Sequence, residues 1–138
     1  MKSFENKVAA ITGAGSGIGR ALAYHLARQG CHLALSDVNI EGLQETVEQA
    51  RKLGVTVSGQ RVDVADRAAV EAWAEQVVSE FGRVNAIFNN AGVAQGGTVE
   101  GNDHADYEWI MNINFWGVVN GTKAFLPYLK AAGQGHVI

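Results

Sequence analysis

The 138-residue chain holds one proline and one cysteine. Cys31 has no intramolecular disulfide partner. Neither it nor His25, His32, His104 and His136 falls in the spacing of a zinc site, so no metal is expected. Clusters of basic charge are missing as well. With 11 Lys and Arg against 14 Asp and Glu, the net charge of -3 offers no footprint for nucleic acid or for an anionic membrane surface, and neither partner is expected. Long hydrophobic runs are also lacking. Residues 1–7 lead into only four apolar residues before Thr12, far short of a signal-peptide core or a membrane span. These absences, with the sparing use of cysteine, read as a cytoplasmic chain in a reducing compartment. What is present is 47% hydrophobic and 18% charged residues, the balance of a globular rather than a disordered chain, in a length that fits one domain.

Seventeen glycines fall at the borders of periodic segments. Residues 8–11 are a short apolar run ending in glycines. From Ile18 the positions Ala21, Leu22 and Leu26 recur at helical spacing, with Gly30 as C-cap. Residues 33–35 predict a second strand, followed by a helix carrying Leu43, Val47 and Ala50 and stopped by Gly54. A third strand is predicted over 55–62. Val70, Trp73, Ala74, Val77, Val78 and Phe81 then form a helical stripe closed by Gly82, and residues 84–88 read as a fourth strand. After Asp103 one long helical stretch reaches about Pro127, whose missing N–H is expected to break or kink it. Strands that are apolar throughout, alternating with helices, call for a parallel sheet covered on both faces, and right-handed crossovers make it doubly wound. One α/β domain over 1–138 is expected, with its sheet cut off at the start of a fifth strand at 136–138.

Residues 12–19, Thr-Gly-Ala-Gly-Ser-Gly-Ile-Gly, leave the first strand and open the first helix, where free N–H groups and the helix dipole favour an anion. A tight turn without a ligand is the plain alternative, and the strand-to-helix context favours a dinucleotide. No Lys-Ser or Lys-Thr follows, which excludes a Walker loop. Ile18 stands where G-x-G-x-x-G needs its last glycine, so the pattern is Gly-x-x-x-Gly-x-Gly. Asp37 ends the second strand, where a carboxylate either caps a helix or accepts the hydroxyls of an adenosine ribose. Such a carboxylate repels a 2′-phosphate, and Ser16 and Val38 supply no cation for one, which points to NAD rather than NADP. Asp63 and Val64 are adenine contacts or a plain strand end. Asn89, Asn90, Ala91 and Gly92 close the fourth strand, either as an ordinary turn or at the sheet edge where open parallel sheets bind ligands. Asn114 falls in a stripe with Tyr107, Ile110, Met111, Val118, Gly121 and Phe125. A buried amide without partners costs about 1–3 kcal/mol, so a functional role is favoured over a helix distortion. Glu41, Glu45 and Glu48 read as a solvated helix face.

In this order, Thr12 with its glycine pattern, Asp37, Asp63-Val64, Asn89-Asn90-Ala91-Gly92 and Asn114 with Gly117 resemble the short-chain dehydrogenase/reductase family along the whole chain. The resemblance implies a Rossmann-like fold and an oxidoreductase moving a hydride between NAD(H) and a secondary alcohol or carbonyl. It implies cofactor contacts from Gly13, Ser16, Gly17, Ile18, Gly19, Asp37, Asp63, Val64, Asn90, Ala91 and Gly92. It also makes Asn114 a member of a catalytic tetrad with Ser, Tyr and Lys, its backbone carbonyl holding a relay water. The family's Tyr-x-x-x-Lys is absent: Arg28, Met111 and Ala132 stand four residues after Tyr24, Tyr107 and Tyr128. The expectation is therefore the cofactor-binding half of a longer enzyme, inactive alone. An NAD-sensing module without catalysis is the alternative. An S-adenosylmethionine methyltransferase is a further one, disfavoured by Thr12 and by the Asn-Asn-Ala-Gly turn. Trp109, Ile113, Trp116 and Val119 give the helix around Asn114 apolar surface on further sides. Such surface is covered by a second subunit or by further parts of the same chain, or consists of scattered surface aromatics; the resemblance favours the subunit and implies a homodimer or homotetramer.

Overall fold

The computed structural model describes residues 3–138; Met1 and Lys2, the opening of the stretch read for a targeting signal, lie outside the described residues. Strands β1 (Val8–Thr12), β2 (His32–Asp37), β3 (Val57–Arg61), β4 (Ala86–Phe88) and β5 (His136–Val137) pair in parallel in the order β3-β2-β1-β4-β5. The helices are α1 (Gly17–Arg28), α2 (Ile40–Arg51), α3 (Arg67–Phe81), α4 (His104–Met111) and α5 (Gly117–Ala131), the last two joined by a π-helical turn, Asn112–Trp116.

Side chains alternate across each strand, and both faces are covered. Ala9, Ile11, Leu33, Leu35 and Phe88 pack with Ala23 and Leu26 of α1 and Leu43 and Val47 of α2. Val8, Ala10, Ala34 and Ile87 pack on the opposite face with Val70, Trp73 and Val77 of α3 and Phe125 and Leu129 of α5. Trp73 meets Phe125 edge-on, ring centres 5.0 Å apart. This two-sided burial is why β1, β2 and β4 read as unbroken apolar runs. β3 does not follow that expectation. Only Val57 is buried in it, because an edge strand has one neighbour and a face open to water.

Helix ends follow their local chemistry. Asn39 and Asp66 accept from the N–H groups of Gly42 and Ala69 at the starts of α2 and α3, and Asp103 with Asp106 forms a capping box at α4. Gly82 closes α3 in the left-handed conformation.

The long helical stretch departs from expectation in two ways: it is not broken at Pro127, and its apolar stripe does not form. Pro127 does not end it: α5 runs on to Ala131. Phe125 and Leu129 anchor that segment in the core, and Pro127 lies on the exposed side, where water can satisfy the carbonyl one turn earlier. The apolar stripe through Asn114 does not form either. Tyr107, Met111, Asn114 and Val118 are exposed, and only Gly121 and Phe125 of that set are buried. The π turn widens the helix between Asn112 and Trp116, so residues before and after it do not share one 3.6-residue face.

Candidate functional site

At the carboxyl ends of β1, β2 and β4 the sheet opens into a cleft of about 350 Å³. Its position beside β1 and β4 is the point where the strand order reverses, the usual ligand crevice of an open parallel sheet. Gly13, Ser16, Gly17 and Ile18 form one wall. Asp37, Val38, Val62, Asp63 and Val64 form a second, and Asn90, Ala91, Gly92, Val93 and Ile113 a third.

The glycine wall is set by close approach. A Cβ on Gly19 would collide with the carbonyl oxygen of Gly13 and press on the Asn90 side chain, while Gly17, at φ 50°, has open space where its side chain would be. Ser16 takes extended backbone and its hydroxyl caps nothing, and no acidic residue stands in the first turn of α1. The amides at the start of α1 are thus left without the side-chain acceptors that close α2, α3 and α4. Such amides, aided by the helix dipole, are suited to an anion.

Asp37 faces this wall with both oxygens fixed by backbone donors. Gly15 N–H donates to Oδ2 at 2.8 Å and Asn39 N–H to Oδ1 at 2.9 Å. Among the described residues, no lysine or arginine lines the cleft. Asp63 accepts from Ala65 N–H at 2.9 Å. Val64 is buried against Gly117, and its carbonyl accepts from Asn120 Nδ2 at 2.9 Å, which ties the second wall to α5.

The third wall is locked to β1. Thr12 Oγ1 accepts from the N–H groups of Asn90 and Ala91, both at 3.0 Å, and its hydroxyl donates to the Phe88 carbonyl. Asn90 Nδ2 donates to the carbonyls of Thr12 and Gly13, so its side chain holds the glycine loop in place. Asn114 pairs with the Val93 backbone like a strand neighbour: Oδ1 accepts from Val93 N–H at 2.9 Å and Nδ2 donates to Val93 O at 2.8 Å. The amide is exposed rather than buried, and its partners are local.

Ten of the residues singled out from the sequence therefore meet at one cleft: Gly13, Ser16, Gly17, Ile18, Asp37, Asp63, Val64, Asn90, Ala91 and Gly92. Gly19 lies behind the lining as a packing contact, and Asn114 braces the rim through Val93. Val62 and Ile113 join the lining without a ligand signal in the sequence, Val93 opens the glycine-rich loop 93–102 that the sequence places beside the site, and Val38 is legible only as a position without a cation. Among the described residues no group of three or more His, Cys, Asp or Glu is placed to hold a metal, and no helix is long and apolar enough to cross a membrane.

Comparison with known proteins adds an independent line. The family model for short chain dehydrogenase matches residues 7–138. SadH of Mycobacterium tuberculosis is 55% identical over 138 residues, covering 100% of this chain and 50% of its own length. Levodione reductase of Leifsonia aquatica is 38% identical, over 98% of this chain and 52% of its own. A short chain dehydrogenase/reductase from Burkholderia phymatum, solved in complex with NAD, superposes with a TM-score of 0.95 at 40% identity, over 99% of this chain and 49% of that one. The chain spans about half the length of the curated relatives it matches.

Proposed function

This chain belongs to the short-chain dehydrogenase family, and from that premise we propose that it is the NAD-binding half of an oxidoreductase acting on a secondary alcohol or carbonyl. One observation carries the reading. Uncapped helix amides and an amide-fixed carboxylate line a single cleft to which, among the described residues, no lysine or arginine contributes. A dinucleotide presents the matching groups, an anionic pyrophosphate and a ribose diol. The Burkholderia phymatum relative, so close in fold, is itself an NAD complex.

In this reading the amides beside Ser16, Gly17 and Ile18 receive the pyrophosphate, with Gly13 and Gly19 allowing the approach. Asp37 accepts both ribose hydroxyls and repels a 2′-phosphate. Asp63 and Val64, with Val38 and Val62, take the adenine. Asn90, Ala91 and Gly92 line the path toward the nicotinamide, which when bound supplies the hydride donor or acceptor. Asn114 belongs to the proton-relay tetrad through its backbone carbonyl while its side chain sets Val93. A cytoplasmic setting fits a chain whose single cysteine is buried and unpaired.

Calorimetric titration of the chain with NAD⁺, NADP⁺ and S-adenosylmethionine tests the proposal. Binding of NAD⁺ with NADP⁺ at least about tenfold weaker is expected, the loss that an unpaired or repelled charge typically brings. Affinity for S-adenosylmethionine but not for NAD⁺ overturns the reading.

A further inference from the structure

Arg20 lies behind the glycine loop, on the side away from the cleft, and collects more polar contacts than any feature of its sequence announces. Its Nη2 donates to the Gly15 carbonyl at 2.6 Å and the Gly42 carbonyl at 3.1 Å, and its Nε to Thr46 Oγ1 at 3.0 Å. Glu45 Oε2 stands 2.9 Å from the same Nη2. Thr46, fully buried, in turn donates to the Gly42 carbonyl. One guanidinium thus joins the loop to the first turns of α2.

The contact is close because two residues have no side chain. A Cβ on Gly42 would sit 2.5 Å from the Gly15 carbonyl oxygen, and a Cβ on Gly15 would sit 2.9 Å from the Asp37 carboxylate. Gly15 is therefore held between Arg20 on its carbonyl and Asp37 on its N–H. The peptide following Gly15 is trans, so fixing that carbonyl toward α2 aims the Ser16 N–H the opposite way.

We infer that Arg20 is a positioning residue for cofactor selection: by fixing Gly15 from behind, it sets Asp37 and the Ser16 amide in the geometry that favours NAD over NADP. This rests on the NAD reading given above. Arg20 reaches no lining position itself, so its effect passes through Gly15. A guanidinium suits the task because its planar fork serves several acceptors at once, which an ammonium cannot do in the same geometry.

The test uses the wild-type, Arg20→Met and Arg20→Lys chains. Affinities for NAD⁺ and NADP⁺ are measured by titration, and amide exchange of Gly15 is followed by NMR without ligand. Arg20→Met is expected to weaken NAD⁺ binding about tenfold and NADP⁺ binding less, so that the preference narrows. Gly15 exchange accelerates while Leu33, bonded within the sheet to the Thr56 carbonyl, stays protected. Arg20→Lys recovers part of both. An equal loss for the two cofactors, or Gly15 exchange as slow as in wild type, overturns the inference. If Arg20→Met does not fold, Arg20→Lys and Thr46→Val carry the same two readouts, with a smaller narrowing expected and an unchanged preference contradicting it. A wild-type chain that fails to bind NAD⁺ sinks the cofactor reading, and Gly15 exchange in the free protein still decides whether the clamp exists.

Discussion

In the proposed reading, Asp37 is the residue on which cofactor choice turns. Its oxygens are oriented by the Gly15 and Asn39 amides, which on that reading hold the carboxylate in place for a ribose diol. Asp37→Ala is expected to cost about 1.5–3 kcal/mol of NAD⁺ binding, the range for a charge-assisted hydrogen bond, and to narrow the margin over NADP⁺ in parallel titrations. Cys31 makes a different kind of prediction. Burial pushes its thiol from the ordinary value of 9.0 up to about 12, against a smaller opposing effect of its hydrogen bonding with the Ala9 backbone. The folded chain then holds the proton more tightly than the unfolded one. Its contribution to stability is complete below pH 9 and is lost as pH rises toward 12. Urea midpoints between neutral pH and about pH 10.5 should fall more steeply for wild type than for Cys31→Ala. Equal slopes would show that the thiol is not what the alkaline form strains.

At the scale of elements, the glycine turn and α3 give the sharpest expectations. Gly19→Ala drives a methyl into the Gly13 carbonyl and the Asn90 amide, so it should abolish cofactor binding in calorimetry even where the chain stays folded. Trp73→Ala removes a fully buried ring that packs on Phe125 and should lower stability by about 3–5 kcal/mol in denaturant unfolding. Both residues were legible in the sequence, one through a glycine pattern after an apolar run and the other through a 3.6-residue stripe. Strands covered on both faces write themselves as apolar runs, which is how β1, β2 and β4 are readable; the edge strand β3, at Val57–Arg61 within the predicted 55–62, is legible in position but not in its one-sided exposure. The π turn is legible only as the disfavoured alternative at Asn114, a helix distortion; its extent over Asn112–Trp116 is not written locally, since Asn114 and Gly117 meet Val93 and Val64 from distant segments. Arg20 carries no sequence signal for a related reason. Two of its four acceptors are backbone carbonyls, which no residue type advertises, and only the packing of α1 on α2 brings the four together. Val62 and Ile113 are ordinary apolar letters until three separate walls close around one cleft.

From α4 through the π turn, the fold leaves a run of large apolar side chains uncovered. Trp109, Met111, Phe115 and Trp116 are about half exposed, and Phe115 and Trp116 pack edge-on at 5.2 Å. Aromatics grouped on one helix in this way mark an interface, so we propose a homodimer or homotetramer built on it. Trp116→Glu should shift the sedimentation of the parent protein toward monomer; a monomeric wild type, unaffected by the change, contradicts this. No Tyr-x-x-x-Lys stands in the chain, so no turnover of a secondary alcohol is expected from it alone, even where NAD⁺ binds. Spectrophotometric detection of NADH production by the purified chain would refute that. The central claim, that one cleft takes a nicotinamide dinucleotide with Asp37 on the ribose, is reached most directly by an NMR titration of the isotope-labelled chain with NAD⁺. Saturable amide shifts are predicted at Gly13, Ser16, Gly17, Ile18, Asp37, Asp63, Val64, Ala91 and Gly92, with Asp37→Ala weakening the whole set together. Shifts confined to the groove between α2 and β3, or no saturable shift at all, would contradict it.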